Sequence, residues 1–258
     1  MPSGNRRPFP RDFADAAQAV APSGELLRYY EAMAEALGPM HWWPAQTPFE
    51  VIVGAILTQS TAWGNVERAI ANLRLARVLT PSAMLRISNP RLAALVRPSG
   101  YFRQKAKKLK AFVRFLDDGY GGSLKRMFLT PTLELREKLL SVHGIGPETA
   151  DSILLYAGNH PVFVVDAYTH RIFGRHGITD GKPDYEKVRA LVETSIPRQP
   201  ELFNELHALI VNTGKNWCRK GAPLCAGCPL RPLLPANSPL SILAPILPAR
   251  TPLSGSVA

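Results

Sequence analysis

The sequence predicts an all-α protein, and three observations carry that prediction. A threonine or asparagine stands directly before proline at Thr47-Pro48, Thr80-Pro81, Asn89-Pro90 and Thr130-Pro131. Such pairs start helices: the side-chain oxygen takes a free N–H of the first turn, and proline lacks the N–H that would go unpaired. Apolar residues then recur at helical spacing, as at Leu133, Leu135, Leu139 and Leu140. Only one run, PVFVV at 161–165, reads like a strand, and it is too short and solitary to build a sheet.

In chain order, residues 1–23 are rich in Pro, Arg, Ala and Ser and read as a mobile arm. The helical pattern begins at 24–37, and the four proline-marked starts add helices after 47, 80, 89 and 130. Further helices are predicted at 62–77, 102–117, 147–157, 167–175, 184–196 and 200–214. Around 142–150 the pattern is helix, Gly-Ile-Gly turn, helix: Ile145 can plug the turn into a core, and the two glycines let a backbone pass close to a ligand. The start of the second helix then suits a phosphate oxygen, although any tight turn between helices can carry glycines. Beyond Pro229 the chain is Pro-, Leu- and Ser-rich without an acidic residue, a tail composition.

Composition narrows the function. There are 31 Lys and Arg against 20 Asp and Glu, a formal charge of +11. That balance favours a polyanionic partner, nucleic acid first, although a basic protein without one has the same charge. The longest apolar runs, such as VIVGAIL at 51–57, fall short of the roughly 20 residues a membrane span needs. With no signal-peptide pattern, a cytoplasmic address is expected, nucleoid-associated in a bacterium. Three cysteines, all within 218–228, suit a local metal or cluster site rather than a disulfide framework.

Four segments together carry a resemblance: LTQST at 57–61, GYFRQKA at 100–106, VHGIGPETA at 142–150 and PVFVVDAYTHR at 161–171. Their order and spacing resemble the endonuclease III superfamily of DNA glycosylases, over residues 42–228. The resemblance implies two helical domains with a helix-hairpin-helix motif and an active-site cleft between them. One domain would span 48–158 and the other 24–47 with 159–234, leaving 235–258 as a tail. It also implies a catalytic role for Asp166. A carboxylate beneath the sugar stabilises the positive charge that builds as a glycosidic bond breaks, and can orient or deprotonate the attacking water. Without the resemblance, Asp166 reads as a helix cap.

Within that superfamily, enzymes that also cut the strand carry a hairpin lysine in GxGxKTA, whose amine forms a Schiff base. Here Glu148 stands in its place, and a carboxylate cannot form an imine. Relatives acting on adenine mismatches carry a glutamate where this chain has Gly54. HWWPAQTPFE, LTQSTAW and the hairpin glutamate look most like the endonuclease III-like 3-methyladenine DNA glycosylases. That likeness implies a base pocket of Trp42, Trp43, Pro44 and Trp63, with Glu148 and Lys215 beside it. Indole faces attract cations, and N3- or N7-alkylated purines are cationic. A tryptophan on a helix is otherwise a core residue, and Lys215 otherwise a phosphate contact.

The same likeness assigns DNA contacts to Gln59, Gly144, Ile145, Gly146 and Thr149, with Gln59 wedged where the base leaves the stack. Arg103, Lys105, Lys107, Lys108 and Lys110 crowd one segment beside Tyr101 and Phe102. Such a run reads as a solvated helix face or, within a glycosylase, as phosphate contacts, to which Arg103 and Lys105 are assigned. Cys218, Cys225 and Cys228 follow the C-x6-C-x2-C spacing of the family's [4Fe-4S] cluster, but Leu234 stands where the fourth cysteine falls. A three-cysteine cluster, a zinc with one borrowed ligand and an empty loop all remain open. The sum is a monomeric, monofunctional glycosylase acting on alkylated purines in duplex DNA. The alternatives are an endonuclease III-type enzyme for oxidised pyrimidines and a DNA-binding protein that has lost catalysis.

Overall fold

The computed structural model describes residues 24–40, 45–181 and 183–236. The N-terminal arm, Trp42, Trp43, Pro44 and all but the first two residues of the tail lie outside the described residues. Among the described residues there is no strand. The helices are α1 (Gly24–Leu37), α2 (Pro48–Leu57), α3 (Trp63–Leu75), α4 (Pro81–Arg86), α5 (Asn89–Leu95), α6 (Phe102–Tyr120), α7 (Leu124–Met127), α8 (Thr132–Leu140), α9 (Pro147–Ser152), α10 (Ala167–Arg175), α11 (Tyr185–Ser195) and α12 (Pro200–Asn216). None is long and apolar enough to cross a membrane.

Two of the four proline-marked starts form as predicted. Thr47 Oγ1 accepts from Glu50 N at 3.2 Å and Thr80 Oγ1 from Ala83 N at 3.3 Å. The other two shift. Helix α5 begins at Asn89 itself, behind Ser88, which makes no side-chain cap. Before α8 the hydroxyl of Thr130 donates to Tyr120 Oη at 3.4 Å, so Pro131 becomes the cap residue. The helix predicted at 147–157 is α-helical only to Ser152 and continues as a π-helical turn, Ile153–Ala157.

The residues divide between two hydrophobic cores. The first gathers α2 with Leu73, Leu92, Phe112, Leu139 and Ile145. Every residue of α2 from Phe49 to Leu57 is buried, as expected of a helix apolar on all sides. The second gathers Leu26, Tyr29 and Met33 of α1 with Phe173, Val188, Phe203 and Leu209. Each fully buried Phe or Leu stabilises its core by about 1.5–3 kcal/mol. The chain crosses between the cores in a short interval: Leu154 and Val162 face the first, Leu155 and Phe163 the second. That crossing leads directly into Asp166.

Candidate active site

The hairpin between α8 and α9 is built around two unlike glycines. Gly144 has φ +83°, and a Cβ there would lie 2.4 Å from Lys108 Cγ, so the turn requires glycine on both counts. Gly146 is extended, and a Cβ there would meet nothing within 4 Å. Ile145 between them is buried in the first core, as its plug role requires. With glycine as its N-cap, the start of α9 has no capping side chain.

Gln59 reaches this hairpin from the loop after α2. Its Nε2 donates to Thr149 Oγ1 at 2.9 Å and to the Gly144 carbonyl at 3.3 Å, while Lys108 Nζ donates to its Oε1. It bridges the loop after α2 to the hairpin turn and the first turn of α9.

The basic segment on α6 divides by burial. Lys105, expected to contact DNA, is 2% exposed, and its ammonium donates to the carbonyls of Leu57 (2.8 Å) and Ser99 (2.6 Å). Its position faces inward on an amphipathic helix, and the carbonyl-ending turns at 57 and 99 satisfy its charge. Lys110 is likewise buried, donating to the carbonyls of Leu85 and Ile87 at the end of α4. Arg103 and Lys107 are exposed, Arg103 over the Phe102 ring at 5.5 Å. Lys105 thus ties the Gln59 loop to the turn that presents Tyr101, an aromatic 69% exposed at φ +43°.

Asp166 caps α10. Its Oδ1 accepts from Tyr168 N (2.9 Å), Thr169 N (2.8 Å) and Thr169 Oγ1 (3.0 Å). Its Oδ2 lies 3.7 Å from His207 Nε2 on α12, and the side chain is 13% exposed. The preceding extended segment has no strand partner, so side chains take its N–H groups. Phe163 N donates to Glu193 Oε1 at 3.0 Å and Val165 N to Tyr185 Oη at 3.4 Å. Tyr185 donates in turn to Asp151 Oδ2 at 2.8 Å, and Arg136 joins Asp151 (2.7 Å) to Glu186 (2.6 Å). This chain of contacts ties the hairpin helices to α11 and to the backbone carrying Asp166.

Glu148, in the first turn of α9, lies near enough to Asp166 for the two carboxylates to interact. Its surface is reachable by water, yet surrounding protein and then the Asp166 carboxylate push its pKa up to about 7. Trp63 opens α3, half-buried against the first core, and its Nε1 donates to Glu67 Oε1 at 2.9 Å. The chain flanking 41–44 is anchored on both sides, Met40 N to Glu205 Oε1 at 2.8 Å and Gln46 N to Glu50 Oε2 at 3.4 Å. Lys215 is exposed in the last turn of α12. Beside it Gly214 permits close packing, since a Cβ there would lie 2.4 Å from the Tyr168 ring.

Cys218, Cys225 and Cys228 line one recess with Arg175, His176, Trp217, Arg231 and Leu234. Arg175 Nη1 lies 3.2 Å from Cys218 Sγ, and burial pushes the Cys228 thiol up to about 11. The three thiols share this recess, but the residue at the position of the fourth cysteine is the apolar Leu234. The residues therefore do not fit a four-thiolate cluster. Among the described residues no group of three or more His, Cys, Asp or Glu side chains could hold a single metal ion.

Several residues of the site have no signature in the sequence. His207 and Tyr156 lie on apolar helix patterns and meet only in the fold, at 2.6 Å between Tyr156 Oη and His207 Nδ1. Asp151 had one readable signal, a carboxylate on the inward face of a helix, and it is fully buried.

Known proteins share this fold. Residues 53–198 match the model of the HhH-GPD superfamily base excision DNA repair proteins. A Methanocaldococcus jannaschii protein, assigned provisionally by its name to DNA repair glycosylases, is 45% identical over 208 residues, covering 80% of this chain and 94% of that one. The crystal structure of a 3-methyladenine DNA glycosylase of H. pylori bound to 1,N6-ethenoadenine matches with TM-score 0.65 and 29% identity, over 75% of this chain and 97% of that one. A non-covalent endonuclease III–DNA complex shares the fold at TM-score 0.70 and 22% identity, over 83% of this chain and 96% of that one. With the matched model spanning the hairpin, most of the first core and part of the second, the chain belongs to the HhH-GPD superfamily of base excision DNA repair proteins and is a DNA N-glycosylase.

Proposed function

We propose that this glycosylase is monofunctional and releases N3- or N7-alkylated purines, such as 3-methyladenine, from duplex DNA. The observation that carries the reading is Glu148: a carboxyl facing Asp166 stands where strand-cutting relatives hold a nucleophilic amine. The 3-methyladenine glycosylase of H. pylori, similar over three quarters of this chain, supports the same substrate class.

In the proposed reaction the C1′–N bond breaks with its electron pair going to the base. Positive charge grows on the sugar opposite Asp166 Oδ2, while Oδ1 stays fixed by α10. Water adds to C1′ and passes a proton to the carboxylate. A cationic base is already a good leaving group and needs no acid. Gly144, Ile145, Gly146 and Thr149 would place the hairpin against the DNA backbone, with Gln59, Arg103 and the exposed Tyr101 beside it. Trp63 would form one wall of the base slot and Trp42, Trp43 and Pro44 the other, with Lys215 at its edge.

The raised pKa of Glu148 also favours a second reading. A protonated Glu148 can donate to an uncharged leaving base, which extends the substrates to neutral lesions, oxidised pyrimidines among them. Base release from duplexes carrying alkylated, oxidised and deaminated bases separates the two, with Asp166→Asn as control. That variant should lose on the order of 100-fold or more in single-turnover rate. Full excision by Asp166→Asn would overturn the mechanism, and borohydride trapping on abasic DNA would overturn monofunctionality.

A further inference from the structure

We propose that His207 is a positioning residue for Asp166, and that Tyr156 sets the tautomer in which it works. The inference rests on the reading of Asp166 as the group that drives base release.

The two oxygens of Asp166 have different surroundings. Three donors from α10 hold Oδ1, and none of them can steer Oδ2 independently of rotation about the carboxyl bond. Among the described residues His207 approaches Oδ2, with Nε2 at 3.7 Å. That separation exceeds a hydrogen bond and is short enough for the ring to set the local field and to close on Oδ2 when charge develops.

The ring itself is held on every side. His207 is buried, with the Phe163 ring edge-on at 6.2 Å and the Tyr156 ring tilted at 5.9 Å. Burial lowers its pKa, against the opposing pull of Asp166, which favours the neutral ring. In a neutral ring one nitrogen donates and the other accepts. Tyr156 Oη sits 2.6 Å from Nδ1. A phenol donating there makes Nδ1 the acceptor and leaves the hydrogen on Nε2, facing Oδ2. The opposite tautomer would set a lone pair against a carboxylate oxygen.

Tyr156 reaches this position from the other domain's hairpin helix, through the π-helical turn that widens it at Ile153–Ala157. π turns of this kind commonly re-aim a side chain at a functional site. The pair therefore couples the hairpin, which is placed to grip DNA, to the orientation of the catalytic oxygen on α10.

The test compares His207→Leu, His207→Gln and Tyr156→Phe in single-turnover base release, together with affinity for an abasic-site duplex. His207→Leu should slow base release roughly tenfold or more, with duplex affinity unchanged. His207→Gln, which can present an N–H near the Nε2 position, should recover part of that loss. Tyr156→Phe, nearly isosteric and least disruptive to folding, should slow release in the same direction. An unchanged rate in His207→Leu, or equal loss of rate and affinity in all three variants, overturns the inference. The Asp166→Asn control separates the failures: if it is fully active, the reading of Asp166 falls. If it is inactive while His207→Leu is fully active, only the positioning role falls.

Discussion

Replacing Glu148 by glutamine should remove a pH dependence whose direction identifies the leaving base. With a pKa of about 7 in the free enzyme, Glu148 is about 9% ionised at pH 6 and about 91% at pH 8. A cationic base entering the pocket favours the ionised form, since an opposite charge a few ångström away lowers a carboxyl pKa by about 1–3 units. Efficiency on an N-alkylated purine should therefore rise close to tenfold from pH 6 to pH 8, following the ionised fraction. A neutral base helped by proton donation requires the opposite slope, a fall of about tenfold over the same range.

The assay is base release at enzyme concentrations well below saturation, so that the profile reports the free enzyme. It is run on duplexes with 3-methyladenine and with an uncharged lesion, after subtraction of spontaneous loss. Glu148→Gln should flatten both profiles between pH 6 and pH 8. A slope that survives in Glu148→Gln, or a flat wild-type profile, would refute the assignment of this carboxyl to the base pocket.

Other residues give independent tests. Lys105→Met leaves the Leu57 and Ser99 carbonyls without their donor and should cost about 1–3 kcal/mol of stability, read by chemical denaturation; a surface phosphate contact would instead change only the salt dependence of DNA binding. Gly144→Ala places a side chain at φ +83° against Lys108 and should cost about 1–2 kcal/mol. Gly146→Ala should leave the melting temperature unchanged while weakening duplex binding. Leu234→Cys completes four thiols around the recess, and anaerobically purified variant should carry more iron and acid-labile sulfide per chain than wild type. Equal contents would show that Leu234 does not stand at the missing corner.

Helices were legible in the sequence because their signals are local. Thr47 and Thr80 cap their helices through bonds spanning three residues, and such bonds need nothing from the rest of the fold. Thr130 shows the limit: its hydroxyl meets Tyr120, ten residues back, and the tertiary contact displaces the cap. The same limit explains Lys105. A cluster of five basic residues over eight positions looks uniform in sequence, yet an amphipathic helix turns some of them inward. Their charge is then met by carbonyls at the ends of other helices, which no local pattern encodes. Asp166 was legible as a cap, while its proposed catalytic role rests on the resemblance. His207, 41 positions away with Nε2 at 3.7 Å from Asp166 Oδ2, had no signal at all.

Capping and the proposed catalysis by one aspartate are compatible because α10 holds only one of the two carboxylate oxygens. Three bonds to α10 fix Oδ1 and bring the positive end of that helix to the anion, which limits the freedom a reacting carboxylate would otherwise lose in the transition state. The backbone leading to it is held by Glu193 and Tyr185, side chains of α11, rather than by a neighbouring strand. An extended segment without a sheet is thus held by two polar side chains, the buried Glu193 and the half-buried Tyr185, the latter also joined through Asp151 to Arg136 beside the hairpin. Since Arg136 and Asp151 belong to the hairpin helices and Tyr185 to α11, contacts that hold the backbone leading to Asp166 also join the hairpin helices to α11. Tyr185→Phe would leave the Val165 N–H and one Asp151 oxygen without this partner. Its cost should therefore fall on stability, about 1–2 kcal/mol, and on the single-turnover rate together, whereas a mutation in the base pocket separates the two.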